Sequence, residues 1–539
     1  MKIIKRDGRI VDYDRQKIST AIEKANSEVK GAEKANKNDI KNIILYIEDL
    51  EKKRMLVEDI QDIIEQQLMK IGKYELAKRY IVYRYTRALV RKSNTTDQTI
   101  LGLIRNGNKD LNEKNSTQST MLASSQRDYI ASEVSRDLTK RMLLPEKIVQ
   151  ADEEEFLHFN DADYFIQPIF NNCFINISDM LDNGTVINNQ IIETPKNFKE
   201  ACLILTQILA IVGSNQYGEK YIDFSSLGKY LRRSYDNYKS EIKSKYNGKM
   251  SNDLIEDLLK IRITEELKFG IKTIQYQYNS FFSTNIQSPS VRFFFNLNAE
   301  DEYIKENTMI IEEIFNETLV NCNNESQQEF PSLIFIINEH TSSNEGDFDY
   351  LTNLAQKCSH NGSSISYISA KKMKENFIGR FNQGMCSINL PRIAIAANGE
   401  EDLFWSILDE KLELCKEALM CIHYALVGTT SDICPLIWQF GAVSRLNTNE
   451  KIDDLLYGNN STLTLGYTGI DELEKIMKSN LETNLQDNNF SLIIIKHLKK
   501  TIDKWKKETN IGFNLYNTSN DPFEKLSFEN EIIKKIPVF

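Results

Sequence analysis

Glycine and proline are scarce in this chain, 22 and 9 among 539 residues, which excludes a collagenous, linker-rich or loop-dominated protein. Cysteine is scarce too. The eight cysteines (Cys173, Cys202, Cys322, Cys358, Cys386, Cys415, Cys421 and Cys434) stand singly, with no CxxC among them, and the five histidines show no HxxxH spacing. Structural zinc needs thiolates or imidazoles gathered in short-range pairs, and a disulfide framework belongs to small Cys-dense chains, so neither is expected. Positive charge is not in excess. The 67 Lys and Arg against 77 Asp and Glu leave a net charge of −10, which excludes a global basic field for nucleic acid and leaves only local patches for phosphate. Long hydrophobic runs are missing as well. The best, Cys202 to Val212, falls short of the roughly 20 residues a membrane span needs. The N-terminal MKIIKRDGRIVDYD has no apolar signal region. The expectation is a cytoplasmic protein that contacts neither membrane nor nucleic acid.

What is present is a globular composition, 41% hydrophobic and 27% charged, with length for several domains. Residues 1–92 read as a small module. Lys2 to Ile4 and Arg9 to Val11 are β-prone runs around Asp7-Gly8, a hairpin signal because Gly accepts the positive φ of the turn. Asp14 can cap a helix carrying Ile18, Ala21, Ile22 and Ala25, and Val57 to Ile71 and Tyr74 to Val90 repeat the helical period. Residues 93–126 are polar and read as a linker. From 127 to 539, helix-like and strand-like segments alternate: strands over 166–177, 291–297, 333–337 and 386–397, a buried helix over 198–213, and a long amphipathic helix over 401–426. Asp182-Asn183-Gly184 reads as a turn. That order favours an α/β class with a barrel as the leading architecture.

Several residues invite chemistry. Lys5, Arg6 and Gly8 on the hairpin, with Lys17 one turn into the next helix, could gather on a triphosphate. The bland alternative is a solvated turn, just as the stripe Arg84, Arg87, Arg91 is more often a solvated helix face.

Within the segment Leu111 to Phe170, the run NEKNSTQSTMLASSQRDYIASEVSRDLTKRMLLPEKIVQADEEEFLHFNDADYF (112–165) resembles the anaerobic, class III ribonucleotide reductases. Further matches are SNQYG (214–218), GKYLRRSYD (228–236), ISAKKM (368–373), GRFNQG (379–384), SINLP (387–391) and TLGYTGI (464–470). The first module resembles their ATP cone through IKRDG (4–8), VEDIQ (57–61), and Ala77, Tyr80, Tyr83 and Arg84. The resemblance implies an N-terminal β-hairpin and helical cone followed by a ten-stranded α/β barrel of the glycyl-radical-enzyme type. It implies ribonucleoside-triphosphate reduction, in which a glycyl radical oxidises a finger-loop cysteine whose thiyl takes the ribose 3′-hydrogen. A second cysteine, on a barrel strand, then helps to reduce C2′. ATP or dATP would bind the cone through Lys5, Arg6, Gly8, Lys17, Lys78 and Arg84.

Carried over residue by residue, His158 matches the first His of HFHDADYF, Cys173 matches the barrel-strand cysteine of FNCCLIN, and Asn382 matches an Asn that orients the ribose hydroxyls. Without the family, Cys173 would be a packing thiol and His158 an ordinary loop-edge histidine. The departures are larger. Asn172 replaces the first Cys of FNCC, Asn160 the second His, Glu219 a second Gly, and Asp152 a His. No finger cysteine separates ISAKKM from GRFNQG, and no radical glycine or zinc CxxC pair follows Leu515 to Ser519. The expectation is an incomplete barrel, catalytically silent alone, that binds nucleotides as a regulator. It would assemble as a homodimer or as a mixed oligomer with a full-length reductase. The alternative is a fragment of a working reductase whose glycyl-radical domain comes from another chain.

Overall fold

The computed structural model describes residues 2–4, 10–27, 29, 31–50, 54–85, 123–246, 250–280, 290–298, 300–323, 332–342, 346–363, 365–370, 378–480 and 490–518. The chain divides into two units, Met1–Gly102 and Leu103–Phe539.

In the first unit Lys2–Ile4 (β1) pairs antiparallel with Ile10–Asp12 (β2), Ile3 opposite Val11, as the hairpin signal requires. A third strand, Arg54–Leu56 (β3), joins β1 in parallel. Three residues wedged against a helix are too few for alternation to show in the sequence. Asp14 caps the helix Arg15–Ser27 by accepting from Gln16 N–H (2.9 Å). The helix Lys37–Asp49 begins with a reciprocal capping box between Asn36 and Asp39. With Val57–Lys70, these helices bury Ile22, Ile47, Ile64 and Leu68 in one core, each contributing about 1.5–3 kcal/mol.

The second unit is built on one curled sheet. Its strands are Leu157–Phe159 (β4), Cys173–Ile175 (β5), Lys220–Asp223 (β8), Val291–Phe295 (β9), Ser332–Ile337 (β10), Ile365–Ser369 (β11), Phe381–Asn389 (β12), Ser461–Thr468 (β13) and Gly512–Asn517 (β14). A separate hairpin, Thr185–Ile187 (β6) with Gln190–Ile192 (β7), lies apart. The order is β11-β10-β9-β8-β5-β12-β13-β14, with β4 antiparallel on the far end of β12. Five strands run parallel from β11 to β5, three from β12 to β14, and the two sets meet antiparallel at Phe381 and Cys173. This is the α/β barrel architecture in partial form: among the described residues β11 and β14 remain sheet edges.

Two strand expectations need correcting. The run 166–177 supplies only the three residues of β5, because Asn176 caps a short helix, Ile177–Asp182. The run 386–397 changes state midway. The β12 strand ends at Asn389, whose side chain accepts from Arg392 N–H, and Pro391 sits in the first turn of the helix Leu390–Ala396. Residues 123–126, read as linker, open the helix Ala123–Leu138. Glu401–Leu426 is helical as expected.

Alternation along the strands gives the sheet two faces. Cys173, Ile175, Ile222, Phe293, Phe295 and Phe335 pack outward against the helices. Phe174, Phe294, Ile334 and Ile336, with Tyr221 against them, form the inner face.

Candidate functional site

The concave inner face encloses a cavity of about 1120 Å3. It is anchored where the two sets of strands meet. Asn171 N–H donates to Asn382 O (2.9 Å), and Asn382 N–H donates to Asn172 O (2.7 Å). The Asn382 amide Nδ2 then donates to Thr464 Oγ1 (2.6 Å) and Thr462 Oγ1 (3.2 Å), so its side chain is held by two hydroxyls of β13. Asn172 Oδ1 accepts from Glu219 N–H (2.7 Å). Gly218 lets this wall close up: a Cβ there would lie 2.1 Å from Asn171 Oδ1 and 2.2 Å from Asn172 Oδ1.

One wall is charged. Glu219 accepts from Arg292 Nε (2.8 Å) and Nη2 (2.6 Å) and from the Tyr221 hydroxyl (2.5 Å). Burial, first, and then the Glu219 carboxylate push the Tyr221 hydroxyl well above its ordinary value. Arg380 and Lys506 add cationic groups to the lining, and Asn459, Asn510 and Asn514 add amides. Two acids, Asp161 and Glu219, stand in the same lining as these two cations, and with the amides and hydroxyls the concave space suits a polyhydroxylated ligand.

The expected catalytic residues part company here. Asn382 lies in the cavity wall. Cys173 borders the same cavity, but its side chain belongs to the outward core, while its neighbours Asn172 and Phe174 line the inside and Phe174 stacks on Tyr221 (4.8 Å). The Cys173 thiol is fully buried, and burial pushes it up to about 12, with Lys220 opposing and Cys434 adding slightly. Burial thus favours its protonated form. Lys220, its register partner on β8, is 2% exposed, and burial pulls its ammonium down to about 8. His158 is remote. It pairs with Ser387 on β12, six residues from the Phe381–Cys173 junction, roughly 20 Å along the strand. Its Nδ1 lies 3.3 Å from Asp152 Oδ1. Burial of Asp152 favours its neutral form, but hydrogen bonds and charge from His158 and Lys140 prevail and hold that carboxyl below its usual range. His158 thus contacts Asp152, which also pairs with Lys140.

No thiol other than Cys173 borders the cavity among the described residues. Cys202, Cys358 and Cys434 sit in the outward core with Cys173, and Cys386 and Cys415 sit in a second core. No group of three potential metal ligands occurs among the described residues. Asn171, Asn172 and Glu219 carry much of the wall; Asn172 and Glu219 stood out in the sequence only as departures from the family pattern, and Asn171 did not stand out.

In the first unit, Lys5, Arg6 and Gly8 lie outside the described residues. Lys17 is exposed, 3.7 Å from Asp14 Oδ2, and Lys78 is exposed. Arg84 is engaged: its guanidinium donates to Glu58 (2.5 Å), Asp62 (2.6 Å) and Glu65 (2.9 Å).

Comparison with known proteins follows the same division. A family model described as anaerobic ribonucleoside-triphosphate reductase matches residues 114–531, and a model of the ATP cone domain matches residues 1–89. The anaerobic ribonucleoside-triphosphate reductase of Escherichia coli (strain K12) is 29% identical over 555 aligned positions, covering 96% of this chain and 76% of its own length. That of Enterobacteria phage T4 is 28% identical, covering 80% and 74%. Among solved structures, the anaerobic ribonucleotide reductase from Thermotoga maritima in complex with dATP and CTP superimposes with a TM-score of 0.56. It is 13% identical and is matched over 80% of this chain and 75% of its own.

Proposed function

The chain belongs to the anaerobic ribonucleoside-triphosphate reductase family and carries an N-terminal ATP cone, and from that premise we propose that it binds ATP and dATP without itself reducing a ribonucleotide. The cone supplies the effector site, with Lys5, Arg6, Gly8, Lys17, Lys78 and Arg84 as its contacts. The cavity, with Asn382 and the Asn171–Asn172 wall, receives a ribonucleoside triphosphate. Such a protein acts in the cytoplasm as a nucleotide-responsive partner of a complete reductase.

The observation that carries this reading is that Cys173 is the one cysteine bordering the cavity among the described residues, and its side chain packs in the outward core. The family's chemistry requires one thiol to abstract the 3′-hydrogen as a thiyl radical and another to deliver reducing hydrogen to C2′. Asn172 holds the inward position beside Cys173, and an amide performs neither step. The connection from β11 to β12 strengthens the point. Residues 370–380 contain no cysteine. They join β11 to β12.

Equilibrium binding of ATP and dATP to purified protein is the direct test. Saturable binding below millimolar concentration is expected, and none at millimolar nucleotide would remove the proposal. The alternative, a reductase in pieces, draws on the bare edge of β14 among the described residues. It predicts deoxynucleotide formation once the radical-bearing chain is added.

A further inference from the structure

Glu58, Asp62 and Glu65 stand at i, i+4 and i+7 of the helix Val57–Lys70, so they share an arc of about 60° on its surface. The other side of that helix buries Ile60, Ile64 and Leu68 in one core with Leu76, Ala77 and Tyr80, from the helical residues 74–85. That packing sets Arg84 alongside the acids. Its Nη1 donates to Asp62 (2.6 Å) and Glu65 (2.9 Å), and its Nη2 donates to Glu58 (2.5 Å). Like charges at i and i+4 repel, and the shared guanidinium offsets that repulsion. The cluster is partly solvated: Arg84 is 24% exposed, Glu58 37% and Asp62 56%.

Three carboxylates on one guanidinium exceed what its neutralisation requires. Its Nε–H and one Nη2–H have no acceptor among the described residues. By shape, that edge could take two phosphate oxygens. Charge opposes it. A phosphate there would sit about 4 Å from the guanidinium centre and at most about 8 Å from each carboxylate. Coulomb energy falls as the inverse of distance, so two carboxylates at twice the distance cancel the cation, and the third makes the sum repulsive. Arg84 attracts a triphosphate only when it leaves the acids or when the acids lose charge.

We propose that Glu58, Asp62 and Glu65 set the nucleotide affinity of the cone by competing with phosphate for Arg84. This rests on the reading that the cone binds ATP and dATP through Arg84. The acids then fix the nucleotide concentration at which the cone fills. A competitor and a brace differ in the sign of their effect. If the acids only brace the fold, or hold Arg84 ready for phosphate, removing one weakens binding or leaves it unchanged. If they compete, removing one tightens it.

Calorimetric titration of the full chain with ATP and with dATP reads that sign. Asp62→Asn and Glu58→Gln, at the two more exposed acids, should each tighten both nucleotides about 3-fold, and together about 10-fold. Asp59→Asn is the control. Asp59 is exposed on the same turn and forms no ion pair with Arg84, so its loss removes the same charge and should change the affinity far less. Asp62→Asn added to Arg84→Ala should bind no better than Arg84→Ala alone, because the gain runs through the arginine. In a chain that binds nucleotide, weaker or unchanged binding by Asp62→Asn and Glu58→Gln, or equal tightening by Asp59→Asn, would overturn this proposal alone. No binding by the wild-type chain or by either variant would overturn the reading beneath it as well.

Discussion

At the scale of single residues, direction decides chemistry. Cys173 is conspicuous in the sequence, but which way it points depends on the phase of a three-residue strand, and a one-residue slip reverses inside and outside. Spacing carries no such information over three residues. Lys220, beside it on the outward face, went unnoticed for the same reason. Its ammonium is pulled down to about 8 by burial. Between that value and about pH 10.4 the unfolded chain binds a proton that the folded protein does not, so stability rises with pH through this window and is lower below it. Lys220→Met should abolish that rise in melting temperature and should stabilise the protein at pH 7. We expect about 1–2 kcal/mol, after allowing for the lost hydrogen bond to Gly218 O. A rise that persists would place the titration elsewhere. Arg84, recognised as a cation, is held by three carboxylates that no local pattern announces, because Glu58, Asp62 and Glu65 belong to another helix. Arg84→Ala should abolish ATP binding to the cone in protein that remains folded by circular dichroism. Unchanged affinity with a lowered melting temperature would make it a purely structural clamp.

Elements were legible in proportion to their length. The 26 residues of Glu401–Leu426 declare a helical period over seven turns, and their bounds agree with the structure. The run 386–397 misleads, because apolar residues continue through a change from strand to helix that only the Asn389 cap and Pro391 mark. The wall between β5 and β8 depends on Gly218, where no side chain fits against Asn171 and Asn172. Gly218→Ala should therefore abolish ribonucleotide binding to the cavity while leaving dATP binding to the cone intact, as titrations with each nucleotide would show. Equal loss at both sites would mean that the variant unfolds.

For the whole molecule, the alternation of strand and helix pointed to an α/β barrel, and that architecture is present as five parallel strands joined to three. The antiparallel junction was not legible, because it pairs Phe381 with Cys173, more than 200 residues apart. It is also what forms the cavity, by bringing Asn382 onto the Asn171–Asn172 wall. The cavity is where the proposed function is decided: a ribonucleotide is proposed to bind there, and Cys173, the one cysteine bordering it among the described residues, packs in the outward core. The most direct measurement is anaerobic incubation with a radiolabelled ribonucleoside triphosphate, a reductant and a radical-generating activase, followed by quantification of deoxynucleotide. Bound, unreduced ribonucleotide and no deoxynucleotide above background are expected. Deoxynucleotide formation that disappears on Cys173→Ser would contradict the proposed function.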